Sequence, residues 1–117
     1  TRPDTTAFAP PAGRLFVAFV AGDAVGATGL KRLDDDTGEL KRMFVRPAGR
    51  GSGVGRRLLE AAEAAALDIG YTVIRLDTRS ELTEAAGLYE RSGYVPIERY
   101  NDNPTANSWW EKRLPQR

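Results

Sequence analysis

Apolar residues fall in short runs and alternations over the first 45 positions, then switch at Val54 to recurrences of three and four. Arg14 to Ala21 (RLFVAFVA) is rich in Val and Phe and predicts a strand; Ala21-Gly22-Asp23 is turn chemistry, and Ala24 to Leu33 predicts a second strand, closing a hairpin. Asp34-Asp35-Asp36-Thr37-Gly38 is another turn, after which Glu39 to Val45 predicts a third strand and hence an antiparallel meander. Arg46-Pro47 ends it, because proline lacks the N–H that a ladder needs.

From Val54 onward, Leu58, Leu59, Ala62, Ala65, Ala66 and Ile69 share one helical stripe, with Arg57, Glu60, Glu63 and Asp68 largely off it. Gly70 sits where a helix C-terminal glycine belongs. Tyr71 to Thr78 (YTVIRLDT) alternates as a strand, and the intervening helix makes it a parallel neighbour of the third strand in a βαβ unit. Ser80 and Thr83 are candidate N-caps of a second helix over about Thr83 to Arg91, closed by Gly93. Tyr94 to Tyr100 and Ser108 to Leu114 predict two last strands around an Asn101-Asp102-Asn103-Pro104 turn. The order βββαβαββ predicts one α+β domain over residues 14–117, a mostly antiparallel mixed sheet with helices on both faces, preceded by a proline-bearing arm over residues 1–13.

Composition narrows the chemistry. A formal net charge of +1 on 117 residues gives no bulk field for a polyanion, which disfavours nucleic acid as a partner. The absence of Cys and His removes thiolate nucleophiles, disulfides and the commonest metal ligands, so no metal site is expected. Catalysis falls to carboxylates, tyrosine, lysine, hydroxyls, backbone or water. The run Leu15 to Ala21 is too short to span a bilayer, and the expected protein is soluble and cytoplasmic.

Between the third strand and the long helix lies Arg50-Gly51-Ser52-Gly53-Val54-Gly55. A glycine-rich turn opening a helix offers backbone N–H groups to a phosphate, although alone it equally marks a tight turn. A P-loop would need Gly-Lys-Ser/Thr where this chain has Gly55-Arg56-Arg57, and a dinucleotide fingerprint would need a third glycine at Arg56.

What remains is an R-x-x-G-x-G run starting at Arg50, which resembles the pyrophosphate-binding motif of the Gcn5-related N-acetyltransferases. The resemblance extends from about Arg14 to Leu114. It includes the Val45-Arg46-Pro47 strand exit, the long helix ending at Gly70-Tyr71, and Ala85-x-x-Leu88-Tyr89-x-x-x-Gly93-Tyr94. It implies an acyl-CoA N-acyltransferase-like fold and an N-acetyltransferase moving an acetyl group from acetyl-CoA directly to a primary amine. Amides of residues 51–55, with Arg50, Ser52 and Arg56, would hold the pyrophosphate. The pantetheine arm would lie along Met43, Phe44 and Val45, where the third strand parts from the fourth.

In that resemblance Tyr89 is the general acid for the leaving thiolate, against the alternative of a half-buried helix aromatic with its hydroxyl bonded. The Val45 N–H, or a neighbour, is the oxyanion donor. Glu39 is the candidate base, against a solvated strand-end charge or an amine that loses its proton to water. Tyr100, Asn101 and Asn103 border the acceptor site, although Asn-Asp-Asn-Pro is also what an ordinary turn selects. Trp109 and Trp110 are expected on alternate faces of the last strand, one of them toward the core.

Two departures stand out. Leu82 occupies the position where the family often has an Asn, so a pantetheine contact is lost or moves to Thr78 or Ser80. The family also normally has a strand and two helices before the first strand seen here, so the chain resembles a domain without one wall of its acceptor groove. A non-catalytic coenzyme A-binding module is therefore the alternative, the acceptor is a small-molecule or peptide amine, and a homodimer is left open.

Overall fold

The computed structural model describes residues 8, 10–49, 51, 53–79 and 83–115. Its elements run β1 (Arg14–Val20), β2 (Asp23–Arg32), β3 (Thr37–Val45), a 3-10 turn (Pro47–Gly49), α1 (Val54–Ile69), β4 (Val73–Thr78), α2 (Thr83–Arg91), β5 (Val95–Ile97) and β6 (Ser108–Arg113). This is the order that the periodicity predicts. Six strands form one sheet in the order β1-β2-β3-β4-β6-β5, with β3 and β4 parallel and every other neighbouring pair antiparallel.

Both helices pack on one face of the sheet, which corrects the expectation that they would cover both. The β3-α1-β4 and β4-α2-β5 connections advance across the sheet in the same direction, and right-handed crossovers that do so place their helices on the same side. That face carries the core: Leu30, Leu40, Ile74, Leu76 and Trp110 from the strands meet Leu59, Ala62 and Ala66 of α1 and Tyr89 of α2. The helices touch where a Cβ on Gly55 would stand 2.8 Å from Leu88, so this glycine permits their approach. Burying the apolar stripe of α1 is what makes a 16-residue helix stable here.

The opposite face is polar over its centre, with Lys31, Glu39, Lys41, Arg75, Asp77 and Glu111 joined in ion pairs. Toward β2 the Phe8 ring lies so near that a Cβ on Gly29 would stand 2.6 Å from it, and the Tyr71 hydroxyl donates to the Ala12 carbonyl at 2.7 Å. Parts of the expected arm are thereby docked. β1 is an edge strand whose Phe19 is 65% exposed, and a concavity of about 600 Å³ lies between β1 and the first two turns of α1. Among the described residues no helix is long and apolar enough to cross a membrane.

Leu76, 1% exposed and paired with Leu40 and Trp110, ties β3, β4 and β6 into the core. We expect Leu76→Ala to lower unfolding free energy by about 2–5 kcal/mol, read from urea midpoints, since the site is enclosed on all sides.

Candidate active site

The site is built around the parting of two parallel strands. β3 and β4 pair from Thr37↔Val73 to Leu40↔Leu76, and no β3–β4 pair follows among the described residues although β3 continues to Val45. A bulge bends β3 at this place: Gly29 opposes Lys41 and Ala27 opposes Phe44, so Thr28 faces two residues, and Arg42 takes φ 56°. The buried Thr28 hydroxyl donates to the Lys41 carbonyl at 3.3 Å. Because Arg46 N–H donates to Val25 at 2.7 Å and residues of an antiparallel strand alternate, the Val45 amide turns to the side from which β4 has departed. Met43 is half-buried against the core and Phe44 is exposed.

The glycine turn delivers the start of α1 next to this opening. Gly51 and Gly53 have φ 81° and 78°, and among the described residues nothing stands within 4 Å of a Cβ at either, so conformation demands glycine. Gly53 is the N-cap, no side chain among the described residues caps the helix, and its first turn holds no acid, which leaves the positive end of the dipole unanswered by the helix itself. Val54 is buried against Val25 and Leu58. Arg56 is exposed and paired with Glu60 at 3.0 Å. Arg50, Ser52, Ser80 and Leu82 lie outside the described residues.

Tyr89 is 3% exposed, its ring 5.8 Å from that of Tyr94 and 6.2 Å from that of Trp110. Burial, aided by the negative charge of Asp77, pushes its phenol up to about 12, so it holds its proton at neutral pH. Glu39 is 2% exposed rather than a solvated strand end. Its Oε2 accepts from the Tyr100 hydroxyl at 2.6 Å and Asn101 Nδ2 at 3.3 Å, with Lys41 Nζ at 3.4 Å and Lys31 Nζ 3.6 Å from Oε1.

Tyr100 and Asn101 thus meet Glu39 and close over the polar face. Asn103 Oδ1 accepts from the backbone N–H and hydroxyl of Thr105 at 3.1 and 2.8 Å, and its side chain also hydrogen-bonds Asp77. Thr78 is engaged at the same end, its carbonyl accepting from Asn107 N–H at 3.0 Å. Trp110 faces the core, while Trp109 donates to Asn101 Oδ1 at 2.9 Å.

Two residues at the centre of this arrangement, Lys41 and Asp77, were not among the sequence candidates. Lys41 Nζ lies 2.7 Å from Asp77 Oδ2, and Asn101 Nδ2 donates to the same oxygen at 2.6 Å. Burial pushes the Asp77 carboxyl up, yet the hydrogen bonds from Lys41 and Asn101 together with the Lys41 charge hold it below the usual range. A signal was present: Glu39-x-Lys41 and Arg75-x-Asp77 put charges on one face of two strands predicted to be parallel neighbours. Among the described residues no group of three or more acidic, His or Cys side chains is placed to hold a metal.

The comparisons agree with this architecture. Residues 2–94 match the model of the acetyltransferase (GNAT) family. An IAA acetyltransferase of Azospirillum brasilense is 36% identical over 106 residues, covering 86% of this chain and 69% of that one. A GNAT-family acetyltransferase from Staphylococcus aureus Mu50 superposes with TM-score 0.82 at 25% identity, over 88% of this chain and 69% of its own. A GNAT acetyltransferase from Elizabethkingia anophelis, solved with acetyl-CoA bound, has the same fold at 20% identity and TM-score 0.73, over 88% of this chain and 77% of that one. The chain belongs to the GNAT family, and its class is that of an N-acetyltransferase.

Burial raises the phenols of Tyr89, Tyr94 and Tyr100, with Asp77, Glu63 and Glu39 respectively adding to the effect. In the unfolded chain these groups ionise near ~10. Stability is therefore expected to stay level up to pH ~10 and to fall between ~10 and ~12, as the unfolded chain releases protons that the folded chain keeps. Urea midpoints taken across that range, with tyrosinate absorbance as a second signal, check this; a profile flat to pH 12 would contradict it.

Proposed function

We propose that the chain transfers the acetyl group of acetyl-CoA directly to a primary amine. The observation that carries this reading is the parting of β3 and β4 beside a glycine-capped helix start, with Tyr89 buried in the same core cluster as Leu40 and Leu76. Amides of residues 51–55, with Arg50, Ser52 and Arg56, hold the pyrophosphate. The pantetheine arm lies along Met43, Phe44 and Val45, in the strand space that β4 leaves, and reaches toward Thr78 and Tyr89.

In this reading the amine attacks the thioester carbonyl, whose developing oxyanion is met by the Val45 amide. The tetrahedral intermediate collapses, the C–S bond breaks, and Tyr89 donates to the departing sulfur. Glu39 receives the amine proton, and its burial routes that proton through the Tyr100 hydroxyl, which already points at Oε2. Tyr100, Asn101 and Asn103 border the acceptor. The names of relatives point to more than one acceptor type in the family, and the fold does not choose between them.

Calorimetry with acetyl-CoA, followed by thiol release across a panel of amines that includes spermidine, tyramine, glycinamide and a peptide N-terminus, tests the reading. We expect binding together with release, and a drop in kcat of about 10²-fold in Tyr89→Phe with acetyl-CoA affinity nearly unchanged. Absence of acetyl-CoA binding would refute the reading. Binding with no release from any amine would favour a non-catalytic coenzyme A module.

A further inference from the structure

Lys41 and Asp77 stand one step beyond the last rung of the parallel ladder, Leu40 opposite Leu76. Continued by one residue, the register would set 41 against 77. Instead their side chains meet, Nζ to Oδ2 at 2.7 Å, on the face away from the helices. The ion pair thus bridges β3 and β4 at the end of their ladder.

Asn101 completes the bridge from the β5–β6 connection. Its Nδ2 donates to Asp77 at 2.6 Å and to Glu39 at 3.3 Å, one acceptor on each strand. Its Oδ1 accepts from Trp109 Nε1 at 2.9 Å and from the Asn103 N–H at 3.3 Å. A side-chain amide has two donor hydrogens and two lone pairs, so its capacity is filled by the protein. At the acceptor border, such a residue holds geometry through its protein partners rather than offering a free donor.

We propose that Asn101 and the Lys41–Asp77 ion pair form a clamp that sets how far β3 and β4 part, with Asn101 acting as a positioning residue for the thioester opening. The proposal rests on the acetyl-transfer reading above. Past Leu40, β3 has β2 on one side and, among the described residues, no strand on the other, and the bulge at Arg42 gives it a bend beyond the last β3–β4 pair. The clamp replaces the missing rungs. It fixes the distance between the Val45 amide on β3 and the Tyr89 hydroxyl, which must address the same thioester from two sides. Misplacement of reacting groups by about 1 Å costs up to about 10²-fold in rate, while affinity spread along the remainder of the ligand hardly changes.

The test uses Lys41→Met, Lys41→Arg and Asn101→Ala, with thiol release from acetyl-CoA and calorimetric acetyl-CoA binding measured on each. The acceptor is the panel amine that turns over fastest in the unaltered protein, or water where no amine is faster. We expect kcat to fall about tenfold or more in Lys41→Met and Asn101→Ala, KM for acetyl-CoA to stay within about threefold, and Lys41→Arg to recover most of the loss, since arginine still reaches Asp77. Should Lys41→Met not fold, Asn101→Asp carries the same expectation, because it keeps the shape and sets a third carboxylate against Glu39 and Asp77.

An unchanged kcat in Asn101→Ala or Lys41→Met overturns the clamp. So does a loss that follows acetyl-CoA affinity or the folded fraction, which would mark a purely structural role. Failure of the unaltered protein to bind acetyl-CoA removes the functional reading itself, whereas turnover that is indifferent to the variants removes the clamp alone.

Discussion

A parallel ladder that stops after the Leu40–Leu76 pair while both strands continue imposes the constraint on which the site depends. Every backbone N–H and C=O buried beyond that point needs a partner, and two strands that diverge cannot supply it to each other. The chain meets this in two ways. The bulge at Arg42 turns β3 away while β2 keeps its own side of the strand paired through Val45. The β5–β6 connection folds back across the end of β4, where Asn107 N–H takes the Thr78 carbonyl. What is left is a short stretch of β3 with one edge toward an opening, beside a helix whose N-terminus has no side-chain cap among the described residues.

The two faces of the sheet do different work because of how the crossovers run. With α1 and α2 on the same side, apolar burial is concentrated there, and Tyr89 of α2 packs its ring near those of Tyr94 and Trp110. The other face keeps carboxylates out of water with polar partners. Glu39 and Asp77 are tolerated there because lysines, a tyrosine and an asparagine saturate them; removing one partner of such a buried pair typically costs about 3–5 kcal/mol. Asp77 charge adds to burial in raising the Tyr89 phenol, so the polar face and the helix face are linked electrostatically.

Periodicity made the order of elements legible, and the glycines made their ends legible. Gly70 at φ 112° caps α1 where the apolar stripe stops, and its amide and that of Tyr71 both reach the Ala66 carbonyl. Long-range contacts moved the boundaries. Tyr71 is β-branched company by sequence, but its hydroxyl is drawn to the Ala12 carbonyl and β4 starts only at Val73. The strand expected over Tyr94 to Tyr100 shrinks to Val95–Ile97, because the chain must leave the sheet to bring Tyr100 and Asn101 onto Glu39. The common side of the helices depends on strand order, which single-sequence patterns do not contain. The Lys41–Asp77 pair depends on register, and register follows only when Leu40 is set beside Leu76.

Burial also shapes what Tyr89 can do as a proton donor. An alkyl thiol ionises near ~8.5, whereas the enclosed phenol stands at about 12, so full transfer of its proton to an ordinary thiolate would run uphill. A hydrogen bond to sulfur is most valuable while the C–S bond is breaking, when charge has begun to gather there and has not yet been released to water. A phenol that keeps its proton through the working pH range is always ready to make that bond. The same desolvation that makes Tyr89 a weak acid strengthens the electrostatic contact it offers. In the proposed reaction Tyr89 therefore donates to the sulfur as the C–S bond breaks, and its effectiveness rests on how closely the parted strands hold the thioester against it.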